Sequence, residues 1–255
     1  MQLLSVVIIT HNEEKNIQRC LDSVKQVADE IVVLDSFSTD STRQICKANG
    51  VSFYQKAFSG YGPQKNAAVD LAKYDYVLNM DADEFLSSQL AASISSEKQK
   101  GFVFDAYSMN RLNYYRGQWI RHGSWYPDKK IRLYNRKKGK WTDQLVHEEV
   151  ATQPGSSIKH LSGDLMHMAY DNIIQHRSKN EKYSTLAAQV LFEKGKRTTV
   201  PRLFIHSSWA FIQSYLVRFG FLDGSNGFTI AKLIAEMTYL KHSKLLKLQK
   251  GTVGQ

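Results

Sequence analysis

One stretch constrains this chain more than any other. Tyr76 to Met80 is a short, β-prone, largely apolar run, and Asp81, Asp83 and Glu84 follow it at once. The run reads as a buried strand. Carboxylates crowded at the end of such a strand repel one another and must be solvated or neutralised. In an open α/β sheet, the C-terminal ends of the strands are where ligands sit. Residues two apart in an extended segment point the same way, so Asp81 and Asp83 can share one target, such as a hard divalent cation bridging a diphosphate.

The first hundred residues alternate strand and helix. Leu3 to Thr10 is nearly all apolar and β-branched, as a strand buried on both faces should be. Asn12 reads as the N-cap of a helix whose first turn holds Glu13 and Glu14 and whose buried stripe is Ile17, Leu21 and Val24. Glu30 to Leu34 and Val51 to Tyr54 are further strands, with a helix capped near Asp40 or Ser41 between them. Gly60 to Pro63 reads as a turn, followed by a helix from Gln64 to Lys73. This order predicts a mostly parallel sheet covered by helices on both faces.

Beyond residue 100 the pattern changes. Residues 101–113 are β-prone. The segment 114–141 is rich in aromatics and cations, including Trp119, Trp125 and Tyr126, and its basic run 129–140 reads as a solvated hairpin that can meet phosphates or headgroups. Helical periodicity marks 171–192, 202–221 and 226–248. The expected organisation is an α/β domain over 1–170, in halves 1–100 and 101–170. A helical region over 171–255 would pack on a membrane or a second subunit. Basic amphipathic helices carrying Trp and Phe suit a membrane interface; packing against the rest of the chain is the competing use of the same stripes.

The 34 Lys and Arg against 24 Asp and Glu leave a net charge of +10, which favours anionic partners. Cys20 and Cys46 form no CxxC pattern, which argues against a zinc site and for buried reduced thiols. The apolar start lacks a basic leader and is cut short by His11-Asn-Glu-Glu14, so no signal peptide is expected. No apolar run reaches membrane-spanning length, and a cytoplasmic location, peripheral on the inner membrane, is expected. The absence of a glycine-rich loop after the first strand argues against a dinucleotide dehydrogenase and a nucleotidyltransferase. The remaining alternative is a basic membrane- or nucleic-acid-binding module without catalysis, which leaves the strand-end acids unexplained.

Several motifs together carry a resemblance. Ser5-Val-Val-Ile-Ile-Thr-His-Asn-Glu-Glu14, Asp35-Ser-Phe-Ser-Thr-Asp40, Lys65-Asn66-Ala67 and Asn79-Met-Asp-Ala-Asp83 occur in order. The chain resembles family 2 glycosyltransferases, and more narrowly the lipopolysaccharide inner-core β-1,4-glucosyltransferases. The narrower likeness rests on Trp125-Tyr-Pro-Asp128, Val146-His-Glu-Glu149 and Gly220-Phe-Leu-Asp-Gly224. The resemblance implies a GT-A fold, a UDP-sugar donor, a divalent cation (Mg or Mn), and inverting transfer of a sugar such as glucose to a heptose of a lipid-linked core. It puts Thr10, Asn12, Glu13 and Asp35 at the base and ribose, Lys65 and Asn66 near the phosphates, and Asp81 at the ribose or donor sugar. Asp83 is the expected metal ligand, with His167 either a further ligand or a core histidine. Glu148 is the expected base, with Glu149 the alternate. Trp125, Tyr126 and Asp128 are the expected acceptor platform, since aromatic faces stack on sugars and carboxylates accept from their hydroxyls. No nucleic-acid partner is expected.

Overall fold

The computed structural model describes residues 2–143, 148–170 and 172–251. The chain divides into two compact units. One comprises 1–111 and 129–168, and the other 112–128 and 169–255.

The first unit begins with β1 (Leu4–Thr10), α1 (Ile17–Val24), β2 (Glu30–Asp35), α2 (Thr42–Ala48), β3 (Ser52–Gln55), α3 (Tyr61–Asp70) and β4 (Tyr76–Asp81). Strands β3, β2, β1 and β4 lie side by side and parallel. Along the chain, β5 (Glu84–Leu86) and α4 (Ser88–Gln99) are followed by β6 (Ala106–Tyr115), β7 (Gln118–Ile120, a strand of the second unit), β8 (Asp128–Asn135), the hairpin β9 (Gly139–Trp141) and β10 (Val150–Thr152), and β11 (Ile158–Tyr170). The sheet continues from β4 through β8, β6 and β11 to β5, with β8 antiparallel to β4 and β5 antiparallel to β11. The expected alternation of strand and helix is present, and antiparallel strands extend the parallel half.

Strand β1 shows why this sheet needs two covers. Leu4, Val6 and Ile8 pack into one apolar cluster with α1, while Val7 and Ile9 pack into the cluster on the other face. The two-residue period of a strand divides a continuous apolar run between both. Gly163 of β11 has φ +95, and a Cβ there would strike the main chain of α4 at Leu90. Glycine supplies both the left-handed backbone and the close approach.

Three local expectations are corrected in this unit. Gly60–Pro63 is no separate turn, since α3 already begins at Tyr61. Asn12 does not cap a helix. It sits at φ 55, α1 starts at Ile17, and Glu13 and Glu14 precede it in a loop. Tethers from the neighbouring loop override the capping preference there, as the site shows below. The basic run 129–140 is not a solvated hairpin throughout: 129–135 belong to β8, inside the sheet between β4 and β6, and Arg132 is 3% exposed.

The second unit holds α5 (Ile173–Glu193), α6 (Val200–Ile212) and α7 (Gly224–Gly251). The helix expected over 202–221 stops as an α-helix at Ile212. Residues 213–217 widen into a π-turn and 220–223 tighten into a 3-10 turn. Gly227 and Gly220 touch main chain to main chain, so a Cβ on Gly227 would collide with the Gly220 carbonyl. The carboxylate of Asp223, 4% exposed, accepts from the main-chain N–H groups of Arg121 and His122 at 3.3 and 2.8 Å. The Gly220–Gly224 motif is therefore a fastening within this unit.

Trp125 packs among Tyr115, Tyr170 and His176. His176 stacks on Tyr170 with centroids 4.5 Å apart, and its Nδ1 lies 3.4 Å from the Tyr115 hydroxyl. Burial, aided by Lys179, pushes the His176 pKa down to about 4. An unfolded His titrates near 6.5. Between those values the unfolded chain takes up a proton that the folded one refuses, so stability is lost as pH falls from about 6.5 to 4. The expected loss is up to about 1.4 kcal/mol per pH unit from this group. Urea denaturation across that range should show it, and His176→Phe should flatten that part of the slope.

Candidate active site

The strand-end acids are neutralised by buried cations. Asp81 closes β4 and Glu84 opens β5, with Glu84 fully buried. Arg132 of β8 donates through one terminal nitrogen to Asp81 Oδ2 at 3.1 Å and Glu84 Oε1 at 2.7 Å. Lys65 of α3 is 2% exposed, with its Nζ 3.2 Å from Asp81 Oδ1 and 3.3 Å from Glu148 Oε1. Arg111 of β6 stands 3.7 Å from Glu84. Burial alone would raise the Asp81 pKa, but Lys65 and Arg132 outweigh it and hold that carboxyl well below the usual range. Burial works against the Arg132 charge, but Glu84 and then Asp81 outweigh it and hold the guanidinium firmly charged.

Trp141 lies beneath both cations. The Lys65 ammonium is 4.4 Å from its ring centroid and the Arg132 guanidinium 5.3 Å. Its indole N–H donates to Asn79 Oδ1 at 2.9 Å, an oxygen that also accepts from the Tyr134 hydroxyl at 2.8 Å. Its main chain exchanges two hydrogen bonds, each 3.0 Å, with the side-chain amide of Asn66. Asn66, expected near the phosphates, thus tethers the β9 hairpin to α3. Lys65, expected there too, meets two carboxylates.

Asp83 follows β4, and His167 is placed beside it by register. The β5–β11 pairing sets His167 opposite Glu84, and the Met168 N–H donates to the Asp83 carbonyl at 3.0 Å. His167 Nε2 is then 3.3 Å from Asp83 Oδ2. Asp83 Oδ1 is buried and makes no hydrogen bond. An orphaned carboxylate oxygen beside an imidazole nitrogen fits a Mn- or Mg-type cation that takes its other ligands from water and substrate phosphates. Among the described residues no group of three His, Cys, Asp or Glu could hold a metal unaided.

The loops after β1 and β2 are laced together. Asn12 donates its N–H to Ser38 Oγ at 2.8 Å and accepts from the Thr39 N–H at 2.8 Å through its side-chain oxygen. Glu14 donates its N–H to Asp40, and Glu13 donates its own to Thr42. Asp35 is fully buried and accepts from the Ser38 N–H and from Gln55, both at 2.9 Å, and from the Ser38 hydroxyl. Burial raises the Glu13 pKa, with Asp83 and Asp40 adding to it. Thr10 Oγ1 is buried without a partner at the mouth of β1. Phe37, not singled out by its sequence, sits in this loop at φ 60 and 55% exposed.

Glu148 and Glu149 immediately precede β10. Glu149 is held through its main chain, which exchanges hydrogen bonds with Thr142. Glu148 faces Lys65. The strand end expected at 145–147 lies outside the described residues. Trp125, Tyr126 and Asp128 belong to the second unit, where Trp125 is part of the aromatic cluster already described. Arg132, Glu84, Asn79 and Trp141 were missed as site residues. The one signal for them was the need to neutralise the strand-end acids, which named no partner.

A parallel half-sheet extended by antiparallel strands, with acids gathered at the C-terminal end of β4, is the arrangement of a GT-A fold. The family model described as Glycosyl transferase family 2 matches residues 5–153, and the chain belongs to that family. An uncharacterized glycosyltransferase of Rickettsia typhi is 33% identical, the match covering 97% of this chain and 88% of that protein. The lipopolysaccharide core biosynthesis glycosyltransferase LpsC of Rhizobium meliloti is 28% identical over 94% and 93%. Among solved structures, glucosyl-3-phosphoglycerate synthase from Mycobacterium tuberculosis, in complex with Mn2+, UDP and phosphoglyceric acid, superposes with a TM-score of 0.50. The identity is 16%, covering 78% of this chain and 80% of that one, a likeness of fold.

Replacing Lys65 with Met should leave Glu148 without its cation and Asp81 with Arg132 alone. Breaking a buried ion pair typically costs about 3–5 kcal/mol. Because Arg132 remains and Glu148 is partly exposed, a loss of about 2 kcal/mol is expected, read by chemical denaturation.

Proposed function

We propose that this chain transfers a hexose, glucose being the leading choice, from a UDP-sugar to a saccharide acceptor of the lipopolysaccharide core, with inversion at the anomeric carbon. The observation that carries the reading is the pair of ionic groups at the end of β4: Asp81 with Lys65, which also holds Glu148, and, two residues on, Asp83 with His167. The likeness to LpsC supports the core acceptor.

In this reading the loops after β1 and β2 take the nucleoside. Asp35, already accepting from Ser38 and Gln55, turns its remaining acceptor capacity to a base N–H. Asn12 and Thr10 flank the ribose. Asp81, fixed and ionised by two cations, accepts from a ribose or sugar hydroxyl. Asp83 and His167 would hold the divalent cation, which when bound supplies Lewis-acid stabilisation of the leaving diphosphate. Glu148 receives the acceptor hydroxyl's proton as that oxygen bonds to the anomeric carbon and the bond to the diphosphate breaks, the electron pair leaving with UDP. A single attack from the face opposite the leaving group inverts the centre. Lys65 orients Glu148 through their ion pair.

Calorimetry with UDP and UDP-glucose, with and without Mn2+, tests the donor half. Metal-dependent binding is expected, weakened at least ~10-fold in Asp83→Ala. Glu148→Gln should keep donor binding and lose transfer by about 10²–10⁴-fold. Transfer surviving in Glu148→Gln would move the base to Glu149, and no nucleotide binding under either condition would remove the reading.

A further inference from the structure

Helix α6 has its apolar side facing out. Of its thirteen residues only Leu203 is buried, although the helix carries Val, Leu, Phe, Ile and Trp along its length. Ile205, Trp209, Ile212 and Leu216 recur at helical spacing from α6 into the π-turn and are 64, 54, 38 and 53% exposed. A soluble helix normally turns such a stripe inward. Here the stripe continues into a surface cluster of rings. Phe219 touches Phe221, Phe221 touches Tyr215, Tyr215 touches Phe228, and Phe228 touches Phe211, at centroid distances of 5.6–6.3 Å. Phe219, Phe221 and Phe228 are 58, 44 and 47% exposed.

The backbone holds these rings outward at a cost. Phe219 sits at φ 57, a left-handed conformation that a bulky residue adopts only under constraint. The π-turn at 213–217 precedes it, and the Gly220–Gly227 contact braces the far side. A widened helix turn, a strained Phe and a glycine brace converge on a surface that buries nothing.

The charge around this surface identifies its occupant. Over residues 200–232 the charged side chains are Arg202, Arg218, Lys232 and one acid, Asp223, which is buried and bonded to the Arg121–His122 main chain. Arg202, Arg218 and Lys232 are exposed. An apolar, Trp- and Phe-bearing face with a cationic rim and no exposed acid within this stretch complements an anionic lipid surface. A second copy of the chain fits poorly: a two-fold contact through this face would set Arg202 and Arg218 against the same rim, with no exposed acid of the stretch between them. Among the described residues no helix is long and apolar enough to cross a membrane. We propose that α6, the π-turn and the 219–228 segment form a monotopic docking surface for an anionic bilayer, with the aromatic cluster inserted and Arg202, Arg218 and Lys232 at the headgroups.

Co-sedimentation with vesicles of phosphatidylcholine alone, and of phosphatidylcholine with about one third phosphatidylglycerol, tests this at near-physiological salt. No donor is needed, so the result is independent of the transferase reading. The full chain should bind the anionic vesicles, and Trp209→Ser/Phe219→Gly should bind them at least ~10-fold more weakly. Glycine at 219 relieves the left-handed strain, so this variant should keep its fold, checked by circular dichroism. If it does not, quenching of wild-type tryptophan fluorescence by brominated acyl chains replaces it, and absence of quenching overturns the proposal. Equal binding by variant and wild type would reduce the effect to adsorption by net charge and overturn it. So would failure to bind anionic vesicles, or a wild-type dimer in ultracentrifugation that the variant abolishes.

Discussion

The strand-end acids of the first unit depend on two cations held among carboxylates. Asp81 and Glu84 sit three residues apart at the turn between β4 and β5, where unpaired burial of either would be prohibitive. Arg132 reaches both, and Lys65 joins Asp81 to Glu148. The network ties α3, β4, β5, β8 and the residue preceding β10 together at the end of the sheet where a ligand would enter. Such a cluster gives less stability than an apolar core of equal volume, because each charge is desolvated. What it gives is position: side chains held in fixed directions, with the Asp81 carboxyl kept ionised by Lys65 and Arg132.

Trp141 links this network to the rest of the fold. Its side chain is fixed by Asn79, its main chain by Asn66, and its ring face carries Lys65 and Arg132. An indole face attracts cations electrostatically, and more strongly when water is excluded. Asn79 interrupts the apolar run of β4 before Asp81, and its oxygen unites Tyr134 of β8 with Trp141 of β9. A residue that reads as part of a ligand motif thus works as an anchor beneath it. The same is true of Asn66, and of Asp223 in the second unit, whose motif supported the narrower family likeness.

Much of the fold was legible. The runs that became β1, β2 and β4 are apolar on both faces, and that pattern has few solutions other than central strands of a covered sheet. The acids at the end of β4 required neutralisation, and the structure supplies it. Boundaries were less legible. Asn12 has a capping residue's chemistry, yet its side chain accepts from Thr39 in another loop, and that tertiary bond sets it at φ 55. The π-turn at 213–217 interrupts what periodicity reads as one helix, because the glycine contact behind it demands a turn there.

The sequence by itself determined the family, the parallel half-sheet and the placement of Asp35, Asp81 and Asp83 at strand ends, since these follow from local pattern and two-residue alternation. Only the tertiary structure decided who neutralises them. Arg132 stands in a basic run that looks solvated, and it becomes a buried partner because β8 enters the sheet beside β4. His167 reaches Asp83 because of the β5–β11 register, which no local pattern encodes. It also decided that the apolar stripe of α6 faces outward, since periodicity fixes which residues share a face but not what that face meets.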